Sequence, residues 1–332
     1  MSKVLFLSKK LTNNYGVSTG LQQSSQFISD YLTANGICNK TVTCIDSNDI
    51  DKEVYNFKPT HVIIHAIWVP PYKLQELVKI HPKVKWIIRI HSKLPFLANE
   101  GIAFEWLTAY TKIPNITISN NNRKGSIELK KALHTDVLYL PNMYYLNVNI
   151  ADVRIPNGFV DIGCFGAVRP LKNILIQAVA AINFGNKYGK RIRFHINGHR
   201  VEQSGDQQLK NIRSLFKNYT GTHELIEHEW MPHQEFLKLV KQMEFGMQVS
   251  LSETFNIVAA DFVYVGVPIL VSPEIEWMPD FTKADPTNIS DICSKMEDLY
   301  FNKRKYFIKS SQDELNKFNE KAGKRWLTFL NH

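Results

Sequence analysis

The sequence predicts two doubly wound α/β domains in tandem. Short apolar runs alternate with amphipathic stretches almost throughout the chain, which is the pattern of βα units around parallel sheets. The alternation stops once, between Pro141 and Gly158, and then restarts. A length of 332 residues also favours two domains. We expect an N-terminal domain over residues 1–145, a second domain over 158–311, and a helix at about 312–332 that packs back on the first domain.

In the first half, strands are predicted at the short apolar runs and helices at the amphipathic stretches between them. The predicted strands are Val4–Ser8, Thr41–Ile45, His61–Ala66, Trp86–His91, Ile116–Ser119 and Val137–Leu140. The predicted helices are Thr19–Thr33, Tyr72–Ile80, Ala103–Thr111 and Asn122–Leu133. The stretch from Pro141 to Gly158 has no helical period and is predicted to be a linker.

The second half repeats this alternation. The predicted strands are Ile162–Val168, Ile192–Asn197, Leu225–Glu229, Gly246–Leu251 and Pro268–Val271. The predicted helices are Asn173–Tyr188, Gln207–Lys217, Gln234–Met243, Phe255–Val265, Ile289–Phe301 and a charged amphipathic stretch, Gln312–Leu330. Parallel sheets bind ligands beyond the carboxyl ends of their strands, so two such domains predict a cleft between them.

Composition excludes several classes of protein. With 44% hydrophobic and 21% charged residues, the chain is typical of soluble globular proteins. No apolar run approaches the roughly 20 residues that span a bilayer. The first residues, MSKVLFLSKK, contain too few apolar residues before Lys9 for the core of a signal peptide. The four cysteines form no CxxC pair, so we expect neither a zinc site nor a disulfide framework, and a cytoplasmic location.

The net charge of +9 is concentrated in the first half. Residues 1–150 contain 17 Lys and Arg against 10 Asp and Glu, whereas the remainder contains 23 against 21. This asymmetry indicates an anionic partner for the N-terminal domain, either nucleic acid or a membrane surface. A lysine-rich surface that is merely solvated gives the same pattern.

The most informative segment runs from Ser250 to Ser272. An apolar strand ends at Ser252-Glu253, and a helix is predicted to begin near Thr254–Asn256. A helix N-terminus at the carboxyl end of a strand offers backbone N–H groups and the positive end of the helix dipole, which suit a phosphate. Asp261 follows Glu253 by eight residues, about two helical turns, on roughly the same face.

This segment resembles the E-x7-E signature of the retaining, GT-B-fold glycosyltransferases related to family 4, and stands here as Glu253-x7-Asp261. The sequence Gly266-Val267-Pro268 follows it, as in that family. A second match is Gly166–Asn173, where the family carries an Arg and a Lys that hold the diphosphate of the donor; Arg169 and Lys172 match them. Without the resemblance, a capped helix and plain surface charges would account for the same residues.

The resemblance implies a role for each matching residue. Glu253 would contact the hydroxyls of the donor sugar, and Asp261 the ribose hydroxyls. The other implied donor-binding positions are Gly16 in the loop Tyr15–Gly20, Asn197 and Gly198 at a strand end, Trp230 and Met231 near the nucleobase, and the amides of Thr254, Phe255 and Asn256 near the distal phosphate. The implied catalytic set is Glu253, Lys172, Arg169 and His91, the last at the end of the fourth strand.

No cofactor or metal is expected. The resemblance implies transfer from a nucleotide sugar, with UDP as the expected nucleotide, with retention of configuration and with cations and helix-end amides stabilising the leaving diphosphate. The sequence Asp49-Ile-Asp51 has the D-x-D form of metal-dependent glycosyltransferases of another fold, but it precedes a short helix, where acidic residues suit the helix start.

The basic first half predicts a polyanionic acceptor, and we favour DNA with a hydroxymethylated pyrimidine, because some bacteriophage DNA-modifying glycosyltransferases share the GT-B build. The candidate acceptor contacts are Lys9, Lys10, Trp68, Lys93, Arg123 and Lys124, with Tyr72 and Phe96 available for stacking. One alternative is a lipid-linked or surface glycan, since Lys73–Lys85 is basic and moderately amphipathic. Another is a non-catalytic module that binds a nucleotide sugar or DNA.

Overall fold

The computed structural model of the protein describes residues 2–10, 20–151 and 158–331. The chain forms two compact units. Unit 1 comprises Met1–Leu146 and Phe318–His332, and unit 2 comprises Asn147–Lys317. Each unit contains one sheet in which the paired strands are parallel, so the prediction of two doubly wound α/β domains is confirmed.

Unit 1 is built on a six-stranded sheet in the order β2-β1-β3-β4-β5-β6. Its strands are β1 (Lys3–Lys9), β2 (Cys38–Cys44), β3 (His61–His65), β4 (Lys85–Ile90), β5 (Ile116–Asn120) and β6 (Val137–Tyr139). Its helices are α1 (Gly20–Ala34), α2 (Asp49–Phe57), α3 (Pro71–Ile80), α4 (Leu94–Leu97), α5 (Ala103–Tyr110) and α6 (Arg123–Leu133). Every residue of β3 and all but the first of β4 are buried, as expected for a parallel sheet that helices cover on both faces.

Unit 2 is built on a five-stranded sheet in the order β11-β10-β7-β8-β9. Its strands are β7 (Val160–Val168), β8 (Ile192–Val201), β9 (His223–Glu227), β10 (Phe245–Gln248) and β11 (Ile269–Val271). Its helices are α7 (Ile174–Tyr188), α8 (Asp206–Lys217), α9 (His233–Lys241), α10 (Ile257–Tyr264) and α11 (Ile289–Glu297), followed by the long α12 (Arg304–Asn331). Among the helices that the structure describes, none has a stretch long and apolar enough to cross a membrane.

The last part of α12 packs within unit 1. Trp326 is fully buried, and its indole Nε1–H donates a hydrogen bond to the carbonyl of Pro141 at 2.9 Å. The predicted linker begins inside this unit as well, because Tyr144 is buried and its backbone N–H donates to Asn319 Oδ1 at 2.9 Å. Helix α12 begins at Arg304, earlier than the predicted start at Gln312.

The strand orders define where each sheet is suited to bind a ligand. In unit 2 the chain proceeds from β7 to β8 and β9 on one side and then to β10 and β11 on the other, so the switch point lies between β7 and β10. Loops that follow two such strands diverge and leave a crevice at their carboxyl ends. The corresponding switch point of unit 1 lies between β1 and β3. The predicted loop with Gly16 follows β1, but it lies outside the described residues.

Candidate functional site

The switch point of unit 2 contains a buried ion pair. Lys172, which ends a short 3-10 turn after β7, places its Nζ 2.6 Å from Glu253 Oε1 in the loop after β10. The side chains are only 10% and 8% exposed. The two predicted residues that carry the strongest family resemblance therefore meet at the carboxyl ends of adjacent strands.

A glutamine that the sequence analysis missed joins this ion pair. Gln248 is buried at the end of β10, and its Oε1 accepts hydrogen bonds from Lys172 Nζ at 3.1 Å and from Asn256 Nδ2 at 2.8 Å. Its own Nε2 donates to the carbonyl of Phe165 at 2.7 Å. Gln248 thus fixes the lysine head group against both strands. We call Arg169, Lys172, Gln248, Glu253 and Asn256 the switch-point cluster.

Further hydrogen bonds join the turn after β7 to the loop after β10. The backbone N–H of Leu251 donates to the carbonyl of Leu171 at 2.9 Å, and Asn173 Nδ2 donates to the carbonyl of Val249 at 3.1 Å. Gln177, on the first turns of α7, accepts from the N–H of Val249 at 2.8 Å. Asn173 has φ 56°, a left-handed conformation that asparagine tolerates better than most residues. These contacts hold the two loops in a fixed relation to each other.

The strand β7 is irregular where it approaches Lys172. Its pairing with β8 shifts register between Gly163 and Ala167, and Gly166 there has φ +111°. A side chain at Gly166 would be strained by this φ, and its Cβ would lie 3.4 Å from Lys172 Cε. The N–H of Gly166 donates to Asn197 Oδ1 at 2.9 Å. Asn197, predicted to bind the donor, is buried and supports the strand beneath the lysine.

The loop that precedes α10 is also fixed by a contact with Trp277. Phe255 is buried, and its ring lies 5.6 Å from the Trp277 ring, centroid to centroid. The backbone carbonyl of Phe255 accepts a hydrogen bond from Trp277 Nε1 at 2.7 Å. Asn256 has φ 60° and caps the helix, its Oδ1 accepting from the N–H of Ala259 at 2.8 Å. Helix α10 consequently begins at Ile257, later than predicted, and the amides of Thr254, Phe255 and Asn256 lie just before its N-terminus.

Arg169 belongs to a second charged group beside the ion pair. Its Nη1 lies 3.4 Å from Glu202 Oε2, and Arg200 Nη2 lies 2.7 Å from Glu202 Oε1. The Arg200 guanidinium stacks on the ring of Trp230, 4.1 Å from its centroid. The cations Arg169, Lys172 and Arg200 outnumber the carboxylates Glu202 and Glu253 in this region, so these five side chains together favour an anionic ligand.

The protonation of Glu253 is set by two opposing effects. Burial raises the pKa of its carboxyl, but the charges of Lys172 and Arg169 and the hydrogen bond from Lys172 lower it more, so the pKa lies below its usual value. Glu253 is therefore ionised at neutral pH. Its charge depends on the two cations, because burial alone would favour the protonated form.

Asp261, predicted to face the ribose, has a protein partner. It is on the second turn of α10 with its side chain 2% exposed, and its Oδ1 accepts a hydrogen bond from His233 Nε2 at 2.7 Å. His233 was not singled out in the sequence, although it begins α9 directly after the predicted nucleobase segment Trp230–Pro232. Burial lowers the pKa of His233, but the hydrogen bond and charge of Asp261 raise it above its usual value.

Gly198 and Met231 complete the predicted donor-binding set. A Cβ at Gly198 would come within 2.0 Å of Glu227 Oε2, so the absence of a side chain there allows the Glu227 carboxylate to reach Arg213, 2.7 Å away. Met231 is half-buried in the segment between β9 and α9. The structure brings Arg169, Lys172 and Glu253 together, whereas Asn197, Gly198 and Asp261 are engaged with other protein groups.

In unit 1, His91 follows β4 and belongs to a buried polar cluster. Its Nε2 lies 2.8 Å from His65 Nδ1 and accepts a hydrogen bond from Arg89 Nη1 at 3.2 Å. Arg89 is completely buried and also donates to Asn142 Oδ1 at 2.6 Å. Burial lowers the pKa of Arg89 to about 9, and burial together with the arginine charge lowers the pKa of both histidines well below the usual value. His91 is thus neutral at pH 7, beside a cationic arginine.

The predicted acceptor residues follow the carboxyl ends of unit 1 strands. Lys9 and Lys10 are exposed at the end of β1, and Arg123 and Lys124 are exposed at the start of α6, after β5. Trp68 is half-buried in the loop after β3. Lys93, directly before α4, is buried, with 4% of its surface exposed.

The D-x-D sequence is accounted for by local structure. Asp49 begins α2 and accepts a hydrogen bond from the N–H of Ile45 at 2.8 Å, and Asp51 lies 2.7 Å from His81. Within the described ranges 2–10, 20–151 and 158–331, no group of three or more His, Cys, Asp or Glu side chains is arranged to hold a metal ion.

No protein-family model matches the chain, and no curated protein matches its sequence. Solved structures match it over nearly its full length. They include a UDP-forming trehalose-phosphate synthase from Burkholderia xenovorans (11% identity, 100% of this chain and 99% of that chain, TM-score 0.65). The match to a glycosyltransferase from Rickettsia africae has 10% identity, covers 99% of this chain and 98% of that chain, and has a TM-score of 0.67. A trehalose-6-phosphate protein from E. coli, bound with UDP-2-fluoro glucose, has 10% identity, covers 99% of each chain, and has a TM-score of 0.67.

These similarities are too low in sequence identity to transfer an activity, and they show the fold. The chain has the GT-B fold, with two Rossmann-like units, as its sequence predicted.

Replacing Lys172 by Met should make stability depend on pH in a way that the native chain does not. Without the lysine, burial dominates and the pKa of Glu253 rises above its unfolded value, so stability falls as pH rises through that raised pKa. We expect the variant to lose about 3 kcal/mol of unfolding free energy at pH 8, and less at pH 5, as measured by chemical denaturation.

Two further variants serve as controls. Lys172→Met with Glu253→Gln should lose the extra pH dependence, and Lys187→Met, which removes the exposed ion pair with Glu297, should change stability by less than about 1 kcal/mol. Equal losses at pH 5 and pH 8 for the single Lys172→Met variant would show that Glu253 does not depend on Lys172 for its charge.

Proposed function

We propose that the protein is a glycosyltransferase that moves a sugar from a nucleotide-diphosphate sugar to an acceptor hydroxyl. The observation that carries this proposal is the buried Lys172–Glu253 ion pair, with Arg169 beside it, at the switch point of a GT-B unit. A structural core would gain little from an ion pair held at a loop crossing, since burying two charges costs several kcal/mol per ion. A ligand with phosphate and hydroxyl groups would interact with both charges, the phosphate with Lys172 and the hydroxyls with Glu253.

The diphosphate of the donor fits the cationic part of the cluster. Lys172 and Arg169 would bind phosphate oxygens, and the amides of Thr254, Phe255 and Asn256 would add donors at the positive end of the α10 dipole. Glu253 would accept hydrogen bonds from the sugar hydroxyls. Trp230 and Met231 would lie near the nucleobase. We propose UDP as the nucleotide because similar structures include a UDP-forming synthase and one bound with UDP-2-fluoro glucose.

The proposed mechanism retains the anomeric configuration and uses no metal. The bond between the anomeric carbon and the diphosphate oxygen breaks, and the acceptor oxygen forms the new bond on the same face of the sugar. The acceptor proton passes to the leaving phosphate oxygen, so no protein base is required. Lys172 and Arg169 stabilise the negative charge that develops on the leaving group, and catalysis depends on this stabilisation and on positioning. Neutral His91 would hydrogen-bond a reacting hydroxyl.

We further propose that unit 1 binds the acceptor and that the acceptor is DNA with a hydroxymethylated pyrimidine. The exposed pairs Lys9-Lys10 and Arg123-Lys124 support this, because both follow carboxyl ends of strands in one parallel sheet and so lie along one edge. They suit a phosphate backbone. The cysteines are free, in keeping with a reducing cytoplasm, which would be the host cytoplasm for a phage-encoded enzyme.

Replacing Lys172 by Ala should lower the rate of sugar transfer by about 10²- to 10³-fold, because it removes a cation that stabilises the leaving diphosphate. The assay incubates UDP-glucose, UDP-galactose or UDP-N-acetylglucosamine with DNA that contains 5-hydroxymethylcytosine or 5-hydroxymethyluracil. UDP release gives the rate, and mass spectrometry of the digested nucleosides identifies the product. Lys187→Ala is the matched control, and a Lys172→Ala variant with the control's rate would contradict the proposed role of Lys172.

DNA binding should weaken steeply with salt. For contacts at Lys9, Lys10, Arg123 and Lys124, affinity should fall about 100-fold between roughly 50 and 200 mM salt. Arg123→Ala with Lys124→Ala should reduce the steepness of this dependence. Lys130→Ala with Lys131→Ala removes the same charge from the last turn of the same helix and should not change it. Binding that is insensitive to salt would overturn the proposal that the acceptor is DNA. Co-sedimentation of the protein with anionic liposomes would then favour a membrane glycan as the acceptor.

A further inference from the structure

The hydrogen bond between Asp261 and His233 bears on which of these two residues is accessible to a nucleotide. Asp261 occupies the second position of the E-x7-E signature, where the resemblance implies direct contact with the ribose. Its carboxylate is 2% exposed and accepts the hydrogen bond from His233 at 2.7 Å. A ligand hydroxyl could reach Oδ1 only by breaking this hydrogen bond, which is costly, and burial leaves the rest of the carboxylate little exposed.

The histidine is the member of the pair that solvent reaches. Its side chain is 17% exposed, against 2% for Asp261. His233 is the first residue of α9 and follows Trp230, Met231 and Pro232, which lie beyond the carboxyl end of β9. It therefore stands at the ligand-binding edge of the sheet, three residues from the Trp230 ring on which Arg200 stacks.

The arrangement is consistent with the length of the acidic side chain. Aspartate is one methylene shorter than the glutamate usual in the signature, so from the same helix position its carboxylate reaches less far towards the crevice. The imidazole of His233 is held by that carboxylate and extends the reach of the pair. A carboxylate that accepts an imidazole N–H fixes the orientation of the ring, as such partners do for histidines that bind metals.

We propose that His233 is the residue of unit 2 that contacts the ribose of the nucleotide, and that Asp261 is a positioning residue that orients it. This inference rests on the proposed function, since it concerns the nucleotide of the proposed donor. The chemistry of recognition then differs from that of the signature. A carboxylate accepts hydrogen bonds from two ribose hydroxyls, whereas the imidazole, whose Nε2 faces Asp261, would make one hydrogen bond to the ribose through its other ring nitrogen, Nδ1.

The test compares ribose recognition in matched variants of the full chain by isothermal titration calorimetry. UDP, ADP and GDP are titrated into the native chain, and the tightest binder is compared with its 2′,3′-dideoxy counterpart. The native chain should prefer the ribose form by roughly tenfold, about the value of one hydrogen bond. His233→Ala should reduce this preference to within about twofold. Gln234→Ala, on the same helix turn and exposed, should retain it.

Asp261→Asn distinguishes the two possible contacts. Its amide oxygen can still accept from His233, so we expect part of the preference to remain. If Asp261 itself contacted the ribose, His233→Ala would keep or increase the preference and Asp261→Asn would lose it, and this result would overturn the inference. His233→Asn provides a second variant if His233→Ala does not fold: its amide can donate to Asp261 but is too short to extend to the ribose, so we expect the preference to fall to within about twofold, and a retained preference would overturn the inference.

The outcomes separate this inference from the proposed function. Nucleotide binding by the native chain without any ribose preference would overturn the role of His233 and leave the glycosyltransferase proposal standing. No binding of UDP, ADP or GDP to the native chain would overturn the proposed function, and the role of His233 with it.

Discussion

The site in unit 2 depends on keeping Lys172 and Glu253 both charged and both buried. Each charge would be destabilised alone, so the pair requires two loops from different strands to meet within hydrogen-bond distance. The strand order places β7 beside β10, Gln248 holds the lysine head group, and Asn173 and Asn256 adopt left-handed conformations that close the two loops. The fold thus presents two cations near a helix N-terminus without a ligand having to assemble them, which is the preorganisation that leaving-group stabilisation needs.

Unit 1 also contains a buried cation, but there the cation is surrounded, in the described part of the chain, by neutral hydrogen-bond acceptors and not by a carboxylate. Arg89 is completely buried, and the acceptors around it are neutral: the carbonyl of Leu140, the amide oxygen of Asn142 and the imidazole of His91, which is in turn hydrogen-bonded to His65. Burial, together with the positive charge of Arg89, keeps both histidines neutral, so His91 is suited to hydrogen bonding and not to holding an anion by charge. In both units the strands are mostly apolar, and the polar clusters around Lys172 and around Arg89 lie at or near the carboxyl ends of strands.

Local sequence sufficed for the fold and for the centre of the site. Apolar alternation predicted both parallel sheets. It also put Lys172 and Glu253 at strand ends of one domain, the resemblance assigned both to the donor site, and the structure places them 2.6 Å apart. The supporting residues could not be predicted, because their roles depend on tertiary contacts: Gln248 reads as one polar residue in an apolar strand, and Arg89 as a surface charge. His233 was missed because its partner Asp261 is 28 residues away along the chain. The helix start was misplaced because Asn256, with φ 60°, caps α10 and is not part of it, and its side chain is hydrogen-bonded to Gln248, eight residues earlier in the chain.

The central claim is that Lys172 binds the second phosphate of a nucleotide diphosphate. The most direct measurement is the ratio of the affinities for UDP and for uridine 5′-monophosphate, obtained by titration of the native chain and of Lys172→Ala. The native chain should bind UDP at least about tenfold more tightly than the monophosphate, as expected for a charge-assisted hydrogen bond. The variant should bind the two nearly equally. An unchanged ratio in the folded variant would contradict the claim.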